Sequence, residues 1–175
     1  MLPANSSLIF NNQQILSALD KLAASMNRSL AGSNPLVLCV MQGGLIFSGQ
    51  LIPRLHFNLD IDYIHATRYK NGTVGSDINW KAKPASSVNN RTVLILDDIL
   101  DEGETLKAIT HYCIKHGAKE VISAVLLHKL HQRGDNMVQA DFVALNVEDR
   151  YVFGFGMDYE GHYRQLDAIY ALGKR

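Results

Sequence analysis

RTVLILDDILDEGETLKA, residues 91–108, runs four apolar residues, Val93 to Leu96, straight into five carboxylates within eight positions. Asp97, Asp98, Asp101, Glu102 and Glu104 repel one another, and no lysine or arginine falls between them. Either water solvates this cluster at the end of a buried strand, or something positively charged belongs there. A calcium loop fails, because the alternation D-x-[DN]-x-[DN]-G is absent. A solvated loop stays open as a reading. A binding loop has a mechanical logic: Gly103 permits a tight turn, and Glu102, Gly103, Glu104 and Thr105 stand before a helix expected over 106–116. Free backbone N–H groups there attract phosphate, and Thr105 adds a hydroxyl. The upstream carboxylates could accept hydrogen bonds from sugar hydroxyls.

On either side of this stretch the chain alternates strand and helix. Asn11-Asn12 reads as a cap for a helix carrying Ile15, Leu16, Leu19, Leu22, Ala23 and Met26 at helical spacing. Gly32 to Pro35 break the chain before the uniformly apolar strand 36–40, LVLCV. Gly43-Gly44 and the helical segment LIFSGQLIPRL follow, and a second strand is expected over 59–65. Residues 66–88 are polar and read as a long loop or mobile hairpin, a length that is often functional. Strands at 93–96, 121–127 and 142–147 follow, with Gly117 stopping the helix between the first two. The tail from Asp149 is rich in tyrosine and glycine and shows neither period. This alternation argues for a parallel sheet with helices on both faces, whose ligands bind at the carboxyl ends of its strands.

Other candidate residues carry less on their own. Gly44 and Gly49 match the outer glycines of a P-loop, but Gln50 and Leu51 stand where Lys and Ser/Thr are required. Gly43-Gly44 after a strand serves equally as a structural turn or as a close approach to a ligand. Lys129 ends a strand on the same sheet edge as the acidic loop. His128 and His131 complete no zinc pattern and read as surface residues. A phosphoacceptor receiver domain would place its acidic pair after the first strand, not here.

Lys+Arg and Asp+Glu both number 17, so no net field draws the chain to nucleic acid or an acidic membrane. No apolar run reaches the ~18–20 residues of a membrane span, and MLPANSSLIFNNQQ lacks the pattern of a secretory signal. Cys39 and Cys113 lie in apolar segments and read as buried thiols in a reducing, cytoplasmic setting.

VLILDDILDEGETL resembles the phosphoribosyl pyrophosphate (PRPP) signature of the type I phosphoribosyltransferases: apolar strand, two acidic residues, two apolar, then D-[ETS]-G-x-T. CVMQGG is similar to their pyrophosphate-side loop, LLHK to the segment with a purine-contacting lysine, and DRYVFGFGMDYEGHYR to the purine-binding tail of the hypoxanthine-guanine members. The resemblance covers roughly 36–164. It implies one α/β domain over 1–175, with a mostly parallel twisted sheet flanked by helices, a small hood from the chain termini and a mobile hairpin. It also implies magnesium-dependent purine salvage from PRPP and hypoxanthine or guanine, by a cytoplasmic homodimer or homotetramer without nucleic-acid or membrane partners.

By that resemblance Asp97 and Asp98 hold the ribose hydroxyls, directly or through magnesium, and Asp101 manages the proton at purine N7. The backbone of Glu102, Gly103, Glu104 and Thr105 cradles the 5′-phosphate, and Gly43 and Gly44 bring amides to the pyrophosphate. Lys129 donates to purine O6, Tyr151 stacks on the base, and the Val152 backbone reads its edge. Asp158 holds a second magnesium ion, and Arg164 binds pyrophosphate. Two departures stand out. Gln42 replaces a lysine found in many relatives, and Arg68-Tyr69 replaces a Ser-Tyr pair, so Arg68 is expected to supply the charge that Gln42 lacks. A xanthine-preferring enzyme is the alternative within the class; a nucleotide-sensing RNA-binding regulator is the alternative outside it.

Overall fold

The computed structural model describes residues 2–68, 78–131 and 138–173, with the side chain of Arg68 outside that set. In chain order the elements are β1 (Ser6–Phe10), α1 (Asn12–Ser29), β2 (Leu36–Val40), α2 (Gly44–Leu51), a 3-10 turn (Ile52–Arg54), β3 (Asp60–Arg68) and β4 (Ile78–Ala82). Then come β5 (Thr92–Leu100), α3 (Glu104–Lys115), β6 (Glu120–Leu130), β7 (Phe142–Glu148), β8 (Val152–Phe153) and β9 (Ile169–Leu172).

The apolar runs set the main sheet, ordered β4-β3-β2-β5-β6-β7 and parallel except for β4. β2 is buried at every position because helices cover both faces. Along β5 the side chains alternate. Leu94 and Leu96 join Ile15, Leu19, Phe47 and Leu51 of α1 and α2, while Val93 and Ile95 face Leu106, Ile109 and Cys113 of α3. Each such fully buried leucine or isoleucine stabilises the fold by about 1.5–3 kcal/mol. Asn11 starts α1 through a capping box: its Oδ1 accepts from the Gln14 amide, and Gln14 Oε1 accepts from the Asn11 amide, both at 2.9 Å.

The two ends of the described chain form a second sheet, β1-β9-β8, antiparallel throughout. This is the expected hood. The tail that feeds it has no clean period because Gly154, Phe155, Gly156, Glu160, Gly161 and Tyr163 all take positive φ. Between these reversals Phe153 packs with Tyr159, Tyr163 and Tyr170 at centroid distances of 5.6–6.0 Å.

Several boundaries differ from the sequence reading. β3 runs on to Arg68 and pairs with β4, so residues 66–68 and 78–82 are the arms of a hairpin and 83–88 lie beyond it; its centre, 69–77, lies outside the described residues. β5 does not stop at Leu96. It continues through Asp97 and Asp98, because β6 goes on pairing with it as far as Leu100↔His128. β6 extends to Leu130 and α3 starts at Glu104. β1 and β9 were not expected as strands at all.

Candidate active site

The site opens where β5 outlasts one neighbour. Pairing with β2 ends at Cys39↔Leu96, while pairing with β6 continues. Beyond Leu96 the β2 side is left to the turn after β2, and that turn must come close. A Cβ on Gly43 would stand 1.8 Å from Asp98 Oδ2, and one on Gly44 would stand 2.8 Å from the Leu96 carbonyl. Glycine is therefore required at 43 by contact with the Asp98 carboxylate and at 44 by contact with the β5 backbone. The Met41–Gln42 peptide just before it is cis. Asp97 and Asp98 also use their own chain: the Asp98 amide donates to Asp97 Oδ1 and the Ile99 amide to Asp98 Oδ1, each at 2.9 Å.

After β5 the chain turns through Gly103, whose φ of +79° suits glycine, into α3. Among the described residues no side-chain hydrogen bond caps this helix, and a helix N-terminus of this kind favours an anion. Asp101 sits between these two features. Lys129 Nζ donates to its Oδ2 at 2.7 Å, and His131 Nε2 lies 3.0 Å from its Oδ1. Across the opening Arg164 donates to Asp158 Oδ1 at 2.5 Å and to the Gly156 carbonyl at 2.6 Å, while Asp158 Oδ2 accepts from the Gly161 amide. A cleft of about 390 Å³ is lined by Gly43, Asp97, Asp98, Asp101, residues 102–105, Asp158 and Arg164.

The Phosphoribosyl transferase domain model matches residues 5–160, most of the chain. The chain belongs to the phosphoribosyl transferase family. Among the relatives of this phosphoribosyl transferase is the hypoxanthine-guanine phosphoribosyltransferase of Streptococcus pneumoniae, 30% identical over 94% of this chain and 92% of that one. The bifunctional protein TilS/HprT of Listeria innocua is 32% identical over 93% of this chain, which matches 25% of that longer protein. The crystal structure of a hypoxanthine phosphoribosyltransferase from Staphylococcus aureus superposes with a TM-score of 0.88 at 28% identity, covering 95% of this chain and 91% of that one. A hypoxanthine-guanine-xanthine phosphoribosyltransferase structure superposes at 0.85 with 25% identity, covering 97% of each.

Not every residue singled out from sequence lines the cleft of this phosphoribosyl transferase. Lys129 reaches it only through Asp101. Tyr151 and Val152 lie outside the lining: Tyr151 is half exposed with its hydroxyl donating to the Asp158 carbonyl at 3.2 Å, and Val152 is buried in the hood. The side chain of Arg68 falls outside the described residues. His131 is no surface residue, since its ring is 3% exposed. Lying two residues apart at a strand end, Lys129 and His131 share one face, and this spacing was the signal available in the sequence. His65, Thr67 and Lys81 also line the cleft, brought there by the β3–β4 hairpin. Gly156 was missed too: a Cβ there would stand 2.1 Å from the Gly43 carbonyl, so the hood rests directly on the turn.

Electrostatics divides the cleft. Burial pushes the Asp97 carboxyl well above the ordinary range, and the neighbouring Asp98 charge adds to this. Burial also raises Asp98, offset in part by its hydrogen bond with Asp97 and by Arg164. On the other wall His65 is lowered by burial and then by the positive charges of Lys81 and Arg164. An anion thus finds cations on one wall, and a cation finds carboxylates on the other.

The Asp97 shift has a stability consequence. A carboxyl that binds its proton more tightly folded than unfolded disfavours the folded chain as pH rises from about 3.9 through the raised value. Asp97→Asn is expected to raise the Tm of the ligand-free protein at pH 7 by about 2 °C or more. The gain should shrink as the pH is lowered toward about 4. A thermal melt series showing no gain at pH 7 would contradict it.

Proposed function

We propose that this phosphoribosyl transferase carries out purine salvage, moving the 5-phosphoribosyl group from PRPP to hypoxanthine or guanine and giving IMP or GMP with pyrophosphate. One observation carries the reading: the Asp97–Asp98 carboxylate pair, the N-terminus of α3 and the Asp158–Arg164 pair all face a single cleft. The names of the relatives support it.

As pyrophosphate leaves, C1′ of the ribose becomes cationic, and the reaction is served by groups that hold the sugar and stabilise the separating charges. Asp97 and Asp98 accept hydrogen bonds from the ribose 2′- and 3′-hydroxyls. The amides of 102–105 and the Thr105 hydroxyl cradle the 5′-phosphate at the α3 N-terminus. Arg164 has guanidinium donors beyond those given to Gly156 and Asp158, and these bind pyrophosphate oxygens. Asp101 takes the purine N7 proton, Lys129 donates to O6, Tyr151 covers the base, and the Val152 backbone reads its edge. Arg68 brings charge from the hairpin in place of a lysine at Gln42.

The donor set fits magnesium. Asp97, Asp98 and Asp158 offer hard oxygen ligands, and among the described residues no three such groups form a ready-made cage. That is expected for an ion held by one or two carboxylates together with substrate oxygens. Bound there, magnesium would neutralise charge on the departing pyrophosphate.

The test is an assay of hypoxanthine, guanine, xanthine and adenine, each with PRPP, with and without a chelator. IMP and GMP should form only with magnesium present, and adenine should not react. Since one structural relative is named for xanthine as well, turnover of xanthine above the other bases would favour a xanthine-preferring enzyme. No turnover of any base would overturn the proposal.

A further inference from the structure

We infer that His131 is a positioning residue for Asp101, one that keeps the carboxylate oriented when Lys129 turns to the substrate. The inference rests on the function proposed above. Asp101 follows directly on β5, and Lys129 lies in β6 one step beyond the last paired residues, Leu100↔His128. Continued parallel register brings Asp101 beside Lys129, and the strand period of two brings His131 to the same face. His128 and Leu130 alternate to the other face, and Leu130 is 53% exposed.

The Asp101 carboxylate is thus gripped from behind by two different groups, one for each oxygen. Nζ of Lys129 takes Oδ2 at 2.7 Å, and Nε2 of His131 stands 3.0 Å from Oδ1, off the line of an ideal hydrogen bond. The imidazole is 3% exposed and the lysine side chain 11%, whereas Asp101 is 37% exposed and lines the cleft. This is the arrangement of a base with an orienting partner behind it and its open side toward substrate.

The two partners are not equivalent. Lys129 has a second task at purine O6, and its flexible stem and three donors allow it to turn there. An Asp101 held by Lys129 alone would lose its fixed orientation at the moment it must meet N7. The buried imidazole does not line the cleft, and a modest rotation of the carboxylate brings Oδ1 into line with Nε2. Contacts of this kind are often poorly aligned without substrate and tighten when it binds.

The experiment compares His131→Leu and His131→Gln with the wild type in steady-state kinetics on hypoxanthine and PRPP. Thermal melts with and without PRPP run alongside. Gln places an amide donor near the position of Nε2, while Leu fills similar space without one. His131→Leu should lower kcat about 10-fold or more, as loss of alignment does, with KM for PRPP and the PRPP-induced Tm shift unchanged. His131→Gln should recover most of that kcat. A wild-type kcat in His131→Leu would overturn the inference, and so would equal loss in the two variants when both melt like the wild type. If His131→Leu does not fold, the result turns on His131→Gln: near-wild-type kcat supports the inference and a 10-fold loss overturns it. A wild-type protein that makes no IMP would overturn the proposed function and this role with it. An active wild type with an indifferent His131 overturns this role alone.

Discussion

Asp101→Asn is expected to lower kcat for hypoxanthine by about 10²–10⁴-fold, the range for losing a positioned general acid–base group. Two losses coincide in this substitution. The amide cannot take the N7 proton, and it also fits badly between Lys129 and His131. Lys129 Nζ donates to Oδ2 at 2.7 Å, and His131 Nε2 lies 3.0 Å from Oδ1. An asparagine offers one oxygen and one NH₂, so one of the two neighbours meets a donor instead of an acceptor. KM for PRPP should change little, because the carboxylate pair and the α3 N-terminus stay in place. Steady-state kinetics at saturating PRPP decides it. A near-normal kcat would leave Asp101 as a positioning group with no part in proton transfer.

Lys129→Ala should remove most of the discrimination against adenine. A site built to donate to an oxygen rejects a base with an amino group there by up to roughly 10⁴-fold, because the buried donor is then left facing another donor. Lys129 is nine-tenths enclosed and tied to Asp101, so its removal also loosens the base beside it. That second effect falls on hypoxanthine and adenine alike. The ratio of their kcat/KM values therefore isolates the reading of O6, whereas either value alone does not. The ratio should fall by about 10²-fold or more. If it stays at its wild-type value while both rates drop, Lys129 supports Asp101 and does not select the base.

The sequence was legible where burial is local. LVLCV and VLIL announced covered strands, and the Asn11 cap and apolar stripe announced α1. Gly117 marked the end of α3, and its φ is +83°. The DDILDEGET stretch located the cleft. What stayed hidden depends on distant partners. SSLIF is a strand only because Ile169–Leu172 pairs with it, and nothing within either segment carries that information. β5 runs through two aspartates, residues that strands disfavour, because β6 has not yet ended. His131 looked like a surface residue because a histidine near a strand end has no period of its own. Its place emerged from the register of β6 against β5.

The hood has a consequence for how the protein is made. Once Glu148 has left the ribosome, all six strands of the main sheet exist, and Asp97 in β5 can already be buried. β1, although it precedes the main sheet in the chain, still has no partner, because Ser6–Phe10 pairs with Ile169–Leu172. Until then the nascent chain carries an open strand edge. The wall bearing Asp158 and Arg164 is mounted between the hood strands, and it meets the rest of the site where Gly156 lies against Gly43. Floor and roof are therefore built at different times. The cleft is complete only when β9 has paired with β1.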